Sequence, residues 1–254
     1  MPASYQHSAP RRIVIIGATS SIAEHCARLW AAPGVTLTLV GRDAGRLERV
    51  AADLRVRSPG AEVGARSGDL LDARAIRKLV DAIVAQGMPD RVLIAHGVLP
   101  DQQACQRDLG AAFDALQVNA LSPVLFAEAF AGHMEHGGGV ITLIGSVAGD
   151  RGRRSNYVYG AAKGLVTRYA QGLQHRLAGS GSRLRVVLVK PGPTATPMTV
   201  HLPQRGLAPV EAVARRIVDG AAAGTAVVYA PGKWAAVMLV IRHLPAFVFN
   251  RMRI

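Results

Sequence analysis

A tyrosine and a lysine four residues apart, Tyr159 and Lys163, form the pair in this sequence best suited to proton transfer. On a helix, residues at this spacing project from one face, and a nearby ammonium group favours the phenolate over the phenol. An unperturbed tyrosine has a pKa of about 10. We therefore predict that Lys163 lowers the pKa of Tyr159 enough for acid or base chemistry near neutral pH. A solvated helix face with a snorkelling lysine is the alternative interpretation.

Ser146 adds a hydroxyl group to this pair. It follows the apolar run 140–144, which we interpret as a buried strand. Open parallel sheets bind ligands at the carboxyl ends of their strands, where a hydroxyl group can polarise a substrate carbonyl. We therefore interpret residues 145–163 as the catalytic segment of a carbonyl reductase. The same segment carries three arginines that either bind a substrate phosphate or lie in an exposed loop: Arg151, Arg153 and Arg154.

The elements that must position these residues can be read from apolar patterning. The chain has 254 residues and is 50% hydrophobic, which is enough to bury one large core. Strand-like runs alternate with segments of helical spacing, which predicts a single α/β domain with a doubly wound parallel sheet. We predict strands at 12–16, 35–40, 62–66, 91–95, 140–144, 183–190 and 226–229. We predict helices at 22–30, 44–57, 73–86, 113–134 and 210–222.

Three segments are expected along the chain: a disordered polar tail (1–11), a cofactor-binding catalytic domain (12–230) and an apolar, basic extension (231–254). The helix over 113–134 is predicted to be continuous and to contain Asn119. A buried asparagine needs hydrogen-bond partners, so Asn119 is either a structural bridge or part of a proton relay.

The formal net charge of +13 favours an anionic partner, such as an anionic lipid or a phosphate-bearing substrate or cofactor. The basic residues are scattered and few aromatics accompany them, so nucleic acid is not the expected partner. Cys26 and Cys105 have no metal-ligand spacing and are expected to be buried thiols in a reducing compartment. No metal site is expected. The sequence shows neither a signal-peptide run nor an apolar stretch of about 20 residues, which predicts a cytoplasmic protein.

The first predicted strand, turn and helix would present backbone N–H groups to a pyrophosphate. Of the glycine-rich fingerprint only Gly17 is kept, with Ser21 and Ala23 at the later positions, so a plain βα turn explains this segment about as well. No acid closes the second strand, and Arg42 follows it. A guanidinium there can pair with a 2′-phosphate, which favours NADP(H) over NAD(H). Asp43 is better placed as a helix N-cap.

Three further positions bear on the cofactor. Asp69 is either an adenine contact or a loop cap, and His96 is interpreted as a loop residue rather than a ligand. The prolines and the glycine of Pro191-Gly192-Pro193 force a loop at the end of a strand, which would form the base of a lid over a nicotinamide.

Together these motifs occur in the order found in short-chain dehydrogenases/reductases, and the chain resembles that family along residues 12–230. The resemblance implies a Rossmann-like fold and hydride transfer. It implies Tyr159 as proton donor, Lys163 as the residue that lowers its pKa and holds the nicotinamide ribose, Ser146 as the group that orients the carbonyl and Asn119 as the anchor of a water relay. The implied cofactor contacts are Gly17, Thr19, Ser20, Ser21, Ile22, Arg42, Asp69, Leu70, Ala95, Gly97, Tyr159, Lys163, Pro191, Gly192 and Thr194.

The sequence departs from the family pattern in two places. The usual three-glycine turn is reduced to Gly17, Ser21 and Ala23, and the usual Asn-Ala-Gly after the fourth strand is Ala95-His96-Gly97. These departures concern the details of cofactor contact. The catalytic positions are complete, which argues against a non-catalytic cofactor-binding subunit.

A closer resemblance covers SVAGDRGRRSNYVYG and the C-terminal APGKWAAVMLVIRHLPAFVFNRMRI, which are similar to the decaprenylphosphoryl-2-keto-erythro-pentose reductase subgroup. It implies reduction of the 2-keto group of a polyprenyl-phosphate-linked pentose during synthesis of cell-envelope glycan precursors. Reduction of a small soluble ketone, or oxidation of an alcohol, is the alternative.

The apolar residues of the C-terminal extension are interrupted by cations, a pattern that suits the inner face of the plasma membrane. Packing on the core, or a dimer contact in a homo-oligomer, explains this pattern equally well.

Overall fold

A seven-stranded parallel sheet forms the centre of the computed structural model, which describes residues 11–201 and 203–252. The strand order is β3-β2-β1-β4-β5-β6-β7, so the order reverses between β1 and β4. The strands are β1 Arg12–Ile16, β2 Thr36–Gly41, β3 Glu62–Ser67, β4 Arg91–Ile94, β5 Gly139–Ile144, β6 Leu184–Pro191 and β7 Val227–Ala230. All pair in parallel, which confirms the predicted doubly wound, Rossmann-like sheet. In such sheets the ligand crevice lies at the carboxyl ends of the strands, beside this reversal.

Helices cover both faces of the sheet. They are α1 Ser21–Trp30, α2 Ala44–Arg57, α3 Ala73–Val84, α4 Gln102–Arg107, α5 Leu109–Leu116, α6 Ser122–Met134, α7 Tyr157–Gly179, α8 Val210–Ala223, α9 Lys233–His243 and α10 Ala246–Phe249. Ile13 and Ile15 of β1 pack with α1, α2 and α8, whereas Val14 and Ile16 pack with α3, α6 and α7. This alternation follows from the two-residue period of a strand.

The predicted continuous helix over 113–134 is wrong. Helix α5 ends at Leu116, a π-helical turn occupies Gln117–Leu121, and α6 follows. Pro123 lies in the first turn of α6. A proline lacks the N–H group that would bond to the residue four positions earlier, here Asn119, and its ring clashes with that carbonyl. The backbone therefore widens into a π turn at Asn119.

Residues Leu109–Met134 also form the one helical run in the described part of the chain that is long and apolar enough to cross a membrane. The sequence analysis expected no such run. Phe126, Phe130 and Met134 are fully buried in the core beneath the sheet. This half of the run is therefore typical of a core helix.

Cys26 and Cys105 are buried free thiols, as expected. Burial raises the pKa of the Cys26 thiol to about 12. Apart from Arg11, the tail that was predicted to be disordered lies outside the described residues, as do the last two residues of the C-terminal extension.

Candidate active site

Ser146, Tyr159 and Lys163 come together at the carboxyl end of β5. Ser146 lies two residues beyond that strand, and Tyr159 and Lys163 lie one turn apart near the start of α7. The side chains of Ser146 and Tyr159 are hydrogen-bonded. Lys163 is almost fully buried, and its Nζ donates to the carbonyl oxygen of Ile144 at 3.0 Å. The sequence-predicted catalytic trio is thus one cluster in the structure.

Two glycines allow the loop after β5 to lie directly on α7. A Cβ atom at Gly149 would be 2.6 Å from the backbone carbon of Lys163, and one at Gly160 would be 3.0 Å from the carbonyl oxygen of Ala148. A side chain at either position would push the loop away from the helix. The small residues therefore hold Ser146 beside Tyr159.

The pKa of Tyr159 is raised above its usual value, because burial outweighs the opposing hydrogen bond from Ser146. The expectation that Lys163 lowers this pKa is not met. The Lys163 ammonium lies 5.8 Å from the centroid of the Tyr159 ring and donates to Ile144 instead. Burial also lowers the pKa of Lys163 to about 8. At pH 7 the site therefore holds a protonated phenol beside an ammonium group.

Asn119 is fully buried and bridges two segments. Its Nδ2 donates to the carbonyl oxygen of Ala115 (2.9 Å), and its Oδ1 accepts from the N–H group of Val98 (3.0 Å). A Cβ atom at Gly97 would lie 2.8 Å from Asn119 Oδ1 and 3.7 Å from Lys163 Nζ. Of the two interpretations left open above, the side chain itself fits the structural bridge. It holds the loop after β4 against the π-helical turn that contains Asn119.

The turn between β1 and α1 fits a pyrophosphate. Gly17 has φ +77°, and a Cβ atom there would be 2.5 Å from the backbone nitrogen of His96, so only glycine suits this position. Ser20 caps α1 by accepting from the N–H group of Ala23 (3.2 Å). The backbone N–H groups of Thr19, Ser21 and Ile22 have no acceptor in the described part of the chain. Free N–H groups at a helix N-terminus are the groups that bind a phosphate.

The predicted adenosine contacts lie at the ends of β2 and β3. Arg42 is exposed just beyond β2, and Asp43 caps α2 as expected, accepting from the N–H group of Arg46 (2.9 Å). Asp69 Oδ1 accepts from the N–H group of Leu71 (2.8 Å), so Asp69 does act as a loop cap. Leu70 is buried, and its carbonyl oxygen accepts from Ser122.

His96 lies in the loop after β4, as the sequence analysis interpreted it, and its side chain has a polar partner. Its Nε2 lies 2.7 Å from the hydroxyl oxygen of Ser122. Burial, together with the charges of Lys163 and Arg42, lowers the pKa of His96 to about 3. The imidazole is therefore neutral at pH 7. Its neighbours Ala95 and Gly97 complete the end of β4.

The loop at Pro191 and Gly192 begins where β6 ends. The N–H group of Gly192 donates to the carbonyl oxygen of Ala230 (3.0 Å), and Thr194 Oγ1 donates to the carbonyl oxygen of Gly192 (2.9 Å). A Cβ atom at Gly192 would lie 1.9 Å from Trp234 Nε1. The start of α9 therefore packs directly on the loop that the sequence assigned to the nicotinamide.

The sequence analysis missed a buried ion pair behind the site. Asp150 and Lys190 have side chains that are 2% and 3% exposed and form a salt bridge, and the Tyr229 hydroxyl donates to the same carboxylate (2.8 Å). The signal was present: an acid four residues after Ser146 and a base directly before the Pro191 loop. Opposite charges at the ends of adjacent strands are expected to meet.

The three arginines of the catalytic segment have different surroundings. Arg151 Nη1 donates to the carbonyl oxygens of Ile241 and Leu244 (2.6 Å each), and its guanidinium lies 3.9 Å from the centroid of the Phe249 ring. The expectation that Arg151 binds substrate is therefore replaced by a structural role, because this contact ties the C-terminal extension to the catalytic segment. Arg154 is exposed, whereas Arg153 is partly buried.

Comparison with known proteins agrees with this geometry. The family model described as short chain dehydrogenase matches residues 11–206. The chain is 33% identical to an uncharacterized oxidoreductase of Streptomyces coelicolor, with 96% of each chain covered. It is 34% identical to an uncharacterized oxidoreductase of Mycobacterium tuberculosis, covering 94% of this chain and 96% of that one. The solved structure of a short-chain dehydrogenase from Sphingobium yanoikuyae in complex with NADPH is similar, with a TM-score of 0.78, 26% identity and 96% of each chain covered.

Proposed function

Because this chain belongs to the short-chain dehydrogenase family and is an NAD(P)-dependent oxidoreductase, we propose that it reduces a ketone with NADPH. The observation that carries this proposal is the cluster of Ser146, Tyr159 and Lys163 at the carboxyl end of β5, in which burial keeps the pKa of the Tyr159 phenol above its usual value. A phenol that stays protonated at neutral pH is the acid that a carbonyl oxygen needs as it becomes a hydroxyl group. The nicotinamide, when bound, supplies the hydride.

The chain's own residues supply the remaining groups. The Ser146 hydroxyl holds the carbonyl oxygen beside the Tyr159 proton. Transfer of that proton leaves a phenolate, and the hydrogen bond from Ser146 favours this charged form. The Lys163 ammonium, 5.8 Å from the ring centroid, is the positive charge of the site. Because its pKa is about 8, Lys163 is mainly charged at pH 7. Gly97, which has no side chain, leaves the space next to Lys163 Nζ and Asn119 Oδ1 free.

The proposed mechanism is tested by Tyr159→Phe, which removes the proton donor and keeps the ring. Loss of a general acid lowers the rate by about 10²- to 10⁴-fold. We expect a decrease in kcat of this size with NADPH affinity unchanged, measured by steady-state kinetics and by quenching of protein fluorescence. Normal turnover in this variant would rule out the mechanism.

We further propose that NADP(H) is preferred over NAD(H). The exposed Arg42 directly follows β2. A separate concavity of about 240 Å³ between α1 and α2 is lined by three arginines and two acids: Arg28, Arg46, Arg49, Glu24 and Asp53. A guanidinium group can donate two parallel hydrogen bonds to two oxygens of one phosphate. An arginine directly after β2 therefore supports recognition of a 2′-phosphate.

We expect Arg42→Ala to raise the KM for NADPH at least tenfold and to leave the KM for NADH nearly unchanged, because only NADPH carries the 2′-phosphate. Arg77→Ala, an exposed arginine on α3, is the control of equal charge. Parallel losses with both cofactors would contradict the preference.

For the substrate we propose the 2-keto group of a pentose carried on a polyprenyl phosphate, in the synthesis of cell-envelope glycan precursors. Besides the sequence resemblance, the C-terminal extension supports this choice. Leu239, Val240 and Phe247 are 54%, 62% and 67% exposed. No acidic residue occurs from 231 to 254, whereas cations flank the apolar side chains. An apolar, cationic surface suits contact with an anionic membrane at which a lipid-linked substrate would be met.

The substrate proposal is tested by comparing a farnesyl-phosphoryl 2-ketopentose with the free, water-soluble ketopentose. We expect a kcat/KM at least tenfold higher for the lipid-linked compound, because the free sugar lacks both the phosphate and the chain. Equal values would favour the alternative, a reductase of small soluble ketones.

A further inference from the structure

Arg153 is a partly buried cation that has no partner among the residues that the structure describes. Its Nε and Nη2 atoms are inaccessible to solvent, and the guanidinium forms no hydrogen bond or ion pair with any residue that the structure describes. Buried polar groups are hydrogen-bonded in about 90% of cases or more, and an unpaired buried cation is costly. Burial lowers the pKa of Arg153, which agrees with this desolvation. An arginine held in this way fits a ligand with negative charge.

Asp150, the carboxylate whose charge acts on Arg153, already has two other partners. Asp150 raises the pKa of Arg153 only through its field, because one of its oxygens pairs with Lys190 and the other accepts from Tyr229. One buried carboxylate thus faces two cations. Asp150, Lys190 and Arg153 together therefore carry a net positive charge. The Arg153 guanidinium is the cation without a hydrogen-bond partner among the described residues.

Two other polar groups at the start of α7 are also without a partner among the described residues. Gln102 Oε1 accepts from the N–H group of Val158 (3.0 Å), which leaves Gln102 Nε2 buried and unpaired. The same holds for Asn156 Oδ1, in the residue that precedes α7. Unpaired donor atoms therefore outnumber unpaired acceptors by three to one, counting the two of Arg153. Such a set favours a ligand rich in acceptor oxygens over a simple alcohol.

We propose, on the basis of the reductase function above, that the partly buried guanidinium of Arg153 binds the phosphoryl oxygens of the substrate's phosphate ester. A guanidinium is a planar fork that matches two oxygens of a phosphate. Arg153 lies between Ser146 and Tyr159 along the chain, so the anion is held by the same segment that holds the carbonyl. Arg151 is engaged by the C-terminal extension and Arg154 is exposed, which leaves Arg153 as the specific contact.

The test is phosphate binding to the full chain saturated with NADP⁺, so that the cofactor's own phosphate sites are filled. Inorganic phosphate, ribulose 5-phosphate and farnesyl phosphate are titrated by isothermal calorimetry. We expect Arg153→Gln to weaken binding of all three at least tenfold. Arg153→Lys, which keeps the charge and loses the fork, should retain only part of the affinity. Arg154→Gln, a neighbour of equal charge, should retain affinity within about twofold.

Equal affinities in the parent chain and Arg153→Gln would overturn the proposal, as would equal losses in Arg153→Gln and Arg154→Gln, since diffuse charge would then explain binding. Tighter binding of farnesyl phosphate than of ribulose 5-phosphate identifies a lipid as the source of the phosphate, and the reverse identifies a soluble sugar. Calorimetry needs no turnover. A chain that binds phosphate through Arg153 and reduces no ketone would refute the proposed function alone, and a reductase indifferent to Arg153 would refute the anion site alone.

Discussion

At Lys163 the proposed catalytic role conflicts with stability. In the proposed mechanism the ammonium is the positive charge of the site, yet burial lowers the pKa of Lys163 to about 8. Below pH 8 the lysine is charged in both the folded and unfolded states, and the folded state bears the full cost of desolvation. Above about pH 10.4, the ordinary pKa of lysine, it is neutral in both states and the cost disappears.

The stability of the protein relative to Lys163→Met should therefore rise with pH between about 8 and 10.4. At pH 7 we expect Lys163→Met to be inactive and more stable than the parent, by up to about 3 kcal/mol, and the gap to close by the upper end of this window. Urea unfolding across the pH range measures it. Lys78→Met, an exposed lysine on α3, should show no such trend. A gap that stays constant with pH would contradict the assignment.

Residue spacing predicted which side chains meet at the site but not how their surroundings change them. Tyr159 and Lys163 share a helix face as their four-residue spacing requires, and Ser146 joins them because it follows a strand. The direction of the Tyr159 pKa shift depends on how deeply loop and helix bury it, which no local pattern reports. Likewise, nothing in the segment distinguishes Arg151 from Arg153 until the C-terminal extension folds over Arg151.

At the level of elements, the ends of three adjacent strands are joined by one buried charge cluster. Asp150 follows β5, Lys190 lies in β6 and Tyr229 lies in β7. The cluster thereby fixes the loop that carries Ser146 against the loop at Gly192. A buried pair of this kind contributes little net stability, but removal of one partner leaves an uncompensated charge.

We therefore expect Lys190→Met to lower the free energy of unfolding by about 3–5 kcal/mol, because the Asp150 carboxylate is left buried. The double variant Lys190→Met/Asp150→Asn should be less destabilised than Lys190→Met alone. Arg57→Met, which removes the partner of Asp53 in a surface pair, should cost about 1 kcal/mol or less. Chemical denaturation of the four proteins measures these differences. Additive losses in the double variant would exclude the buried pair as the cause.

Elements with strong local signals were predicted well. All seven strands were predicted within one residue of their observed bounds. Central strands such as β1 and β5 read as continuous apolar runs because they are buried on both faces. Helix α2 was predicted with its observed bounds, which agree with its Asp43 cap. The break between α5 and α6 was missed because apolar residues continue through it, and Pro123 was not read as a reason for a π turn.

On the scale of the whole molecule, charge and apolar exposure coincide at the C-terminal extension. The chain has a net charge of +13, and α9 buries only Met238 among its side chains, while Leu239 and Val240 face outward. The net charge could be predicted from composition alone. That cations lie beside an exposed apolar face could be seen only in the folded structure. Each Lys or Arg near an anionic lipid surface contributes about 1 kcal/mol of attraction.

We expect the protein to sediment with vesicles that contain phosphatidylglycerol and to remain free of vesicles made only of phosphatidylcholine. Salt should weaken the association, since screening reduces the charge term. Replacing Leu239, Val240 and Phe247 with serine should abolish it by removing the apolar contact. The control replaces Leu109 and Phe113 with serine; these residues are 83% and 59% exposed on α5. If the control loses binding equally, the C-terminal extension is not the contact surface.

Arg151 gives this arrangement an allosteric consequence. One guanidinium holds the end of α9 and the Phe249 ring, and it belongs to the backbone segment that runs from Ser146 to Tyr159. We expect membrane contact of the C-terminal extension and substrate binding at the catalytic segment to be coupled through this contact, and such coupling is reciprocal. Whatever factor a bound membrane adds to substrate affinity, bound substrate adds to membrane affinity. The time that the protein spends on a membrane would follow the supply of its substrate.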